Sequence, residues 1–197
     1  MKRRLILASA SPRRSQLMRQ IGLKPEIMPS MAEEDVEETQ PDRLVLELSR
    51  KKAQEVAARY GEDTLVIGAD TVVAVQGKIL GKPANHKEAV EMLLQLQGQV
   101  HQVYTGVTVT AGGTKKTLTS FSACTDVSVF PMTEEEIYRY TESGEPMDKA
   151  GAYGIQGKFA AYIKEIHGDY NNVVGLPVGR LYQELKTLGV LEEVRYD

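Results

Sequence analysis

The 197-residue chain predicts a mixed α/β fold. Three observations carry that expectation. Short apolar runs of strand type are interspersed with segments whose apolar residues recur at helical spacing. Turn signals at Gln76-Gly77 and Gly112-Gly113 fold two of the strand-like runs back on themselves, which argues against a purely parallel sheet. The composition, with 42% hydrophobic and 26% charged residues, is that of a globular protein with a core. Disorder, collagen-like repeats and coiled coil are excluded. No linker rich in Pro, Gly or Ser and no repeat is visible, so residues 1–197 are expected to form a single, bilobed domain.

The elements follow in order. Leu5 to Ala8 reads as a buried strand. Ser11-Pro12 starts a helix, with Ser as N-cap and Pro at the first helical position; Leu17, Met18 and Ile21 form its apolar stripe and Gly22 stops it. Residues 31–40 are acidic and aperiodic, hence a loop. A second helix runs from Pro41-Asp42 to Gly61 on Val45, Leu48 and Val56. Leu65 to Val75 is a strand, returning after the turn through Lys78-Ile79-Leu80. Asn85 and Glu88 read as a capping box for a third helix that ends at Gly98. Val103–Ala111 and Leu118–Phe130 are strands, and Thr133 with Glu136 is a second capping box. Gly144 to Gly157 is a long Gly-rich loop, and Phe159 to Ile166 is a strand. Pro177 opens the last helix, with Val178, Leu181, Leu185 and Leu188 on one face.

The formal charge of −3 argues against a duplex nucleic-acid binder, but a small anion needs only local cations. The lone Cys124 cannot form an internal disulfide, and the scattered His86, His101 and His167 give no zinc spacing. Met1-Lys2-Arg3-Arg4, Leu5-Ile6-Leu7 and Ala8-Ser9-Ala10 imitate a signal peptide. The apolar stretch is too short, and Arg13 and Arg14 follow at once. No run approaches the roughly 20 apolar residues of a membrane span. A cytoplasmic location is expected.

Five segments carry candidate chemistry. In Ser9-Ala10-Ser11-Pro12-Arg13-Arg14 a strand feeds a small-residue loop and a helix N-terminus, a place suited to an anion. The helix dipole disfavours cations there, so the two arginines make better sense beside an anion; the alternative is two solvated arginines. Lys52 lies between Leu48 and Val56 on one helix face, as a ligand cation or as a lysine that snorkels past the core edge. Asp70 sits inside the apolar run 65–75, where a carboxylate is costly unless paired, hydrogen-bonded or on a metal. Gly68 and Ala69 leave room beside it for a ligand to approach; the alternative is a buried Asp tying down a loop. Lys82 follows the hairpin in Gly77-Lys78-Ile79-Leu80-Gly81-Lys82-Pro83, which is not a P-loop but can present a cation to a phosphate. In residues 148–157, small spacers surround Gln156, whose amide can read a base edge, or the segment is only an irregular connection. No Gly-x-Gly-x-x-Gly follows a strand, so a dinucleotide fold has no support.

Taken together, SASPRR at 9–14, the acidic loop with Glu33, GADTVV at 68–73, GKP at 81–83, DKAGAYGIQG at 148–157 and GDYNNVVGLP at 168–177 resemble the Maf family of nucleotide pyrophosphatases. The resemblance spans nearly the whole chain. It implies a Maf/ITPase-like α/β fold: a mixed, elongated central sheet flanked by helices, with two lobes around a cleft. It implies hydrolysis of a nucleoside triphosphate to the monophosphate and pyrophosphate, with divalent Mg or Mn as cofactor. Arg13, Thr71 and Gln156 stand at the specificity positions of the dTTP/UTP subclass with its residue types; the 7-methyl-GTP subclass has Trp where Arg13 stands. By the same analogy Asp70 is the proton acceptor and a metal contact, and Glu33 a metal or water partner. Lys52, Lys82 and Arg14 serve the reaction, and Ser9, Ser11, Arg13 and Arg14 bind phosphate. A homodimer is expected, without a membrane or a stable nucleic-acid complex, and the family is associated with septum formation. The alternative is a non-catalytic nucleotide- or nucleic-acid-binding regulator of cell division. A simple anion site gains nothing from a carboxylate at Asp70, which weighs against that alternative.

Overall fold

The computed structural model describes residues 2–114 and 116–194. Strand β1 (Arg4–Leu7) pairs in parallel with both β2 (Glu26–Ile27) and β3 (Thr64–Val75). Ile6 faces Val66 and Leu7 faces Ile67 in that register, and all four are fully buried. Such a continuous apolar run marks a strand covered on both faces. The strand β4 (Lys78–Leu80) returns antiparallel on β3 through a turn with Gln76 at φ 48° and Gly77 at φ 77°. Two successive positive φ values make the tight hairpin turn whose twist suits the strands. With β5 (Val100–Ala111), β6 (Thr117–Val129) and β7 (Ile163–His167), the sheet order is β2-β1-β3-β5-β6-β7, with β4 on β3. Because β7 runs antiparallel to β6, the sheet is mixed, as expected.

The helices are α1 (Pro12–Gln20), α2 (Pro41–Ala57), α3 (His86–Leu96), α4 (Glu134–Thr141), α5 (Tyr170–Val174), α6 (Val178–Thr187) and α7 (Leu191–Val194). Among the described residues, no helix is long and apolar enough to cross a membrane. The chain divides into two compact units. One takes the chain up to Asp70, Thr105–Ala123 and the chain from Gly175 onward; the other takes Thr71–Tyr104 and Cys124–Val174.

In the first unit α2 lies directly on the sheet. A Cβ at Gly68 would strike the Ser49 carbonyl and Ala53, and one at Gly106 would strike the Val45 carbonyl. The room expected beside Gly68 for a ligand is therefore filled by helix backbone. Val45, Ala53 and Val56 are fully buried in this contact. In the second unit α3 buries Ala89, Leu93 and Leu96, and α4 buries Ile137 and Tyr140. Rings join below them: Tyr140 to Phe159 at 5.1 Å, Phe159 to Tyr153 at 4.7 Å, and Tyr153 to His101 at 5.3 Å.

Three local expectations change. Helix α2 ends at Ala57 rather than Gly61, because the Ala57 carbonyl accepts the N–H groups of Tyr60 and Gly113. Gly61 instead lies against Gly112, too close for a Cβ there. Asn85 caps α3 by accepting the Glu88 N–H, but the Glu88 carboxylate accepts from Ala84 N–H, so that capping box is incomplete. At Thr133 and Glu136 both halves of the box form. The strand expected from Phe159 begins as 3₁₀ turns over Lys158–Tyr162, since Phe159 is drawn into the ring cluster. The two-residue β2 carries no alternation that could announce it.

Candidate functional site

The first unit holds an ionic cluster. Asp70 reaches it from β3 and Lys52 from α2, and Lys52 Nζ donates to Asp70 Oδ1. Each side chain is only 14% exposed, so the pair is largely withdrawn from water. Close seating of α2 at Gly68 brings this lysine to this strand. Lys52 Nζ also meets Glu34 Oε1 at 2.7 Å, from a glutamate whose side chain is 61% exposed. Two more α2 residues tie down the acidic loop. Glu55 Oε2 accepts from Ser30 Oγ at 2.9 Å and from Met31 N–H at 3.1 Å, and Lys51 Nζ donates to the Asp35 carbonyl at 2.6 Å. Lys51 and Lys52 each lie about one helical turn before Glu55.

Arg14, half-buried, joins two loops of the same unit. Its Nε donates to the Gly175 carbonyl at 2.8 Å and its Nη1 to Ser9 Oγ at 2.9 Å. Loss of water around the guanidinium lowers its pKa, an effect opposed by the charge of Asp70. Ser9 Oγ also accepts the Ser11 N–H at 3.2 Å, so Arg14 fixes the strand-to-helix loop from below. Ser11 occupies the N-cap position of α1 but makes no side-chain cap bond. Its side chain and that of half-buried Arg13 stand at the start of α1, where the helix dipole is positive.

The second unit holds Thr71, Lys82 and Gln156. Thr71 is half-buried in β3, and Lys82 and Gln156 are exposed. The Gly151 N–H donates to the Gly81 carbonyl at 3.0 Å, joining the loop that carries Gln156 to the loop that carries Lys82. Gly151 also packs on the Val73 side chain of β3 so closely that a Cβ there would collide. The segment 168–177 contains α5 and is anchored from within: Asn172 Nδ2 donates to the Val103 carbonyl at 2.9 Å and to Thr125 Oγ1 at 3.0 Å.

The sequence profile of Maf-like proteins matches residues 4–188. The chain belongs to the Maf family. Three bacterial relatives extend the likeness over nearly the whole length. A protein of Agathobacter rectalis is 55% identical, covering 94% of this chain and 98% of the relative. One of Carboxydothermus hydrogenoformans is 51% identical, over 94% and 99% respectively. One of Lachnoclostridium phytofermentans is 47% identical, over 94% and 95%. Each of the three is named a dTTP/UTP pyrophosphatase.

For a Maf protein the carboxylate chemistry is instructive. Asp70 and Glu34 converge on one cation, the Lys52 ammonium. Two carboxylates completed by substrate phosphate oxygens are the donor set that Mg²⁺ takes in phosphoryl enzymes. Among the described residues, no group of three His, Cys, Asp or Glu side chains is placed to hold a metal. Residue Glu33 is exposed. The contact with Lys52 falls to its neighbour Glu34, which sequence reasoning did not single out. Adjacent glutamates in an aperiodic loop give no pattern that separates them.

Proposed function

We propose that this Maf protein hydrolyses dTTP and UTP to the nucleoside monophosphate and pyrophosphate. The observation that carries the reading is the Lys52–Asp70 pair, a largely dry carboxylate paired with an ammonium, in a chain similar along its length to dTTP/UTP pyrophosphatases. A nucleotide binder without chemistry would place only cations near the phosphates.

Water attacks the α-phosphorus and pyrophosphate leaves. Asp70 takes the proton of the attacking water on the carboxylate oxygen that Lys52 does not occupy. Lys52 orients Asp70 through their hydrogen bond, and its positive charge balances the charge gathering on the phosphates. Arg13 and the start of α1 bind phosphate oxygens, and Lys82 brings a further cation to the leaving pyrophosphate. Arg14 holds Ser9 and the loop at Gly175 in place and adds its charge to the same field. Thr71 and Gln156 select the pyrimidine base by hydrogen bonding. Asp70, with Glu33 or Glu34, would hold Mg²⁺ or Mn²⁺, which supplies Lewis-acid polarisation of the phosphoryl oxygens when bound. A homodimer in the cytoplasm is part of the same reading.

The test is pyrophosphate release from dTTP, UTP, CTP, ATP, GTP and 7-methyl-GTP with Mg²⁺ or Mn²⁺, by wild type and Asp70→Asn. Selective turnover of dTTP and UTP, lost in the variant, supports the reading. Failure of folded wild type to turn over any of them refutes it.

A further inference from the structure

Gln156 is exposed on a segment with little regular structure, yet the backbone on both sides of it is held by side-chain hydrogen bonds, directly to Glu145 on one side and through Tyr140 on the other. Glu145 Oε2 accepts the Lys158 N–H at 3.0 Å. Glu145 Oε1 accepts the Tyr140 O–H at 2.9 Å, and Tyr140 Oη in turn accepts the Gly154 N–H at 3.1 Å. Residues 154–158 therefore bend around Glu145, with Gln156 at the middle of the bend. Gly157 makes the close approach possible, because a Cβ there would land on the Glu145 carboxylate.

The clamp is itself fixed. Lys149 Nζ donates to the Glu145 carbonyl at 2.6 Å. Tyr140 is 4% exposed, with its ring against Phe159. Burial and the neighbouring Glu145 raise the phenol pKa, so the hydroxyl stays protonated and donates to the carboxylate. A carboxylate is the one side chain that accepts in two directions at once without offering a donor in return. Nothing in the phosphate chemistry requires an acid at this place, whereas a side-chain amide that reads a base edge must be held to within about 0.5 Å.

We propose that Tyr140 and Glu145 are positioning residues that hold the backbone on either side of Gln156 and thereby set base selection. The proposal rests on the reading that Gln156 faces the base. Neither residue touches substrate; both act through the bend at residues 154–158.

The experiment measures kcat and KM for dTTP, UTP and CTP with wild type, Tyr140→Phe, Gln156→Ala and the double variant. Phenylalanine keeps the ring and removes both hydroxyl bonds. The expected result is a rise in KM for dTTP and about a tenfold loss of preference over CTP, with kcat within about twofold, as fits a lost hydrogen-bonding alignment. In the Gln156→Ala background, Tyr140→Phe is expected to add little, since the group it positions is gone. Glu145→Gln gives a second route should Tyr140→Phe fold poorly: it keeps the size, removes one acceptor, and should shift preference the same way. Unchanged preference in a folded variant, or losses that multiply in the double variant, overturns the proposal while the proposed function stands. A wild type that turns over neither dTTP nor UTP overturns that function, and the assigned role of the clamp with it.

Discussion

The ionic cluster of the first unit and the Gln156 loop of the second solve the problem of holding a polar group in different ways. Asp70 and Lys52 stand on a strand and a helix, and glycine packing at Gly68 brings them together. The charges then restrain one another. Gln156 has no regular element beneath it, and its place comes from side-chain bonds to the backbone through Glu145 and Tyr140. The difference teaches that a polar side chain on regular elements is placed by packing distance, whereas one on a loop is placed by a few specific hydrogen bonds. The first should fail through charge and volume changes, the second through loss of a single hydroxyl.

The largest effect should come at the carboxylate. Asp70→Asn is expected to lower kcat by about 10²–10⁴-fold, the usual contribution of a general base, with nucleotide affinity largely kept. Pyrophosphate release and nucleotide titration measure the two parts, and wild-type turnover by this variant would break the base assignment.

Acid should weaken the second region through a buried ring. His101 is fully buried, with Nε2 against Tyr153 Oη at 2.8 Å. Burial pushes its pKa down from 6.5 to about 4, against a smaller opposing pull from Asp126. The unfolded chain therefore binds a proton that the native state refuses. Stability from this source is complete above the ordinary histidine value and declines as pH falls towards about 4. The loss approaches roughly 3 kcal/mol. Denaturation between about pH 7 and about pH 4 should show it, and His101→Gln should flatten the dependence. An equal slope in that variant would assign the acid sensitivity elsewhere.

Gly68→Ala tests whether packing distance governs the first region. The new methyl must displace α2 backbone, so a stability loss of about 1–3 kcal/mol is expected from overpacking. Turnover should fall as well, because the shift carries Lys52 away from Asp70. Full activity in a destabilised variant would show that the pair tolerates displacement.

Arg139→Ala should do least. Its ion pair with Glu135 on α4 is exposed, at 73% and 81% for the two side chains. A change within about 0.5 kcal/mol is expected, read by denaturant unfolding, although Tyr140 is the next residue. A larger loss would mean that the surface of α4, and not only its buried hydroxyl, supports the Gln156 loop.

Much of this arrangement was legible along the chain. Asp70 stood out because a charge within an apolar strand demands a partner. Lys52 stood out because it interrupts an apolar stripe at helical spacing. Lys82 and Gln156 were by themselves only polar residues among glycines, and the resemblance to the Maf family was what singled them out. Glu34 was hidden because a loop without periodicity does not say which of two neighbouring exposed acids meets Lys52. Glu145 and Tyr140 were hidden for a related reason: their partners are backbone N–H groups, which every residue except proline offers.

The sequence by itself determined the mixed α/β class, the order of the main elements, the β3–β4 hairpin and the full capping box at Thr133 and Glu136. These depend on local propensity and on periods short enough to read in one window. Only the tertiary structure decided that α2 packs against Gly68 and Gly106, that Lys52 closes on Asp70 and Glu34, that Arg14 bridges Ser9 and Gly175, and that Glu145 gathers the backbone around Gln156. Most of those contacts join residues far apart in the chain. Their free energy depends on distances and on the exclusion of water, and neither is encoded in local spacing.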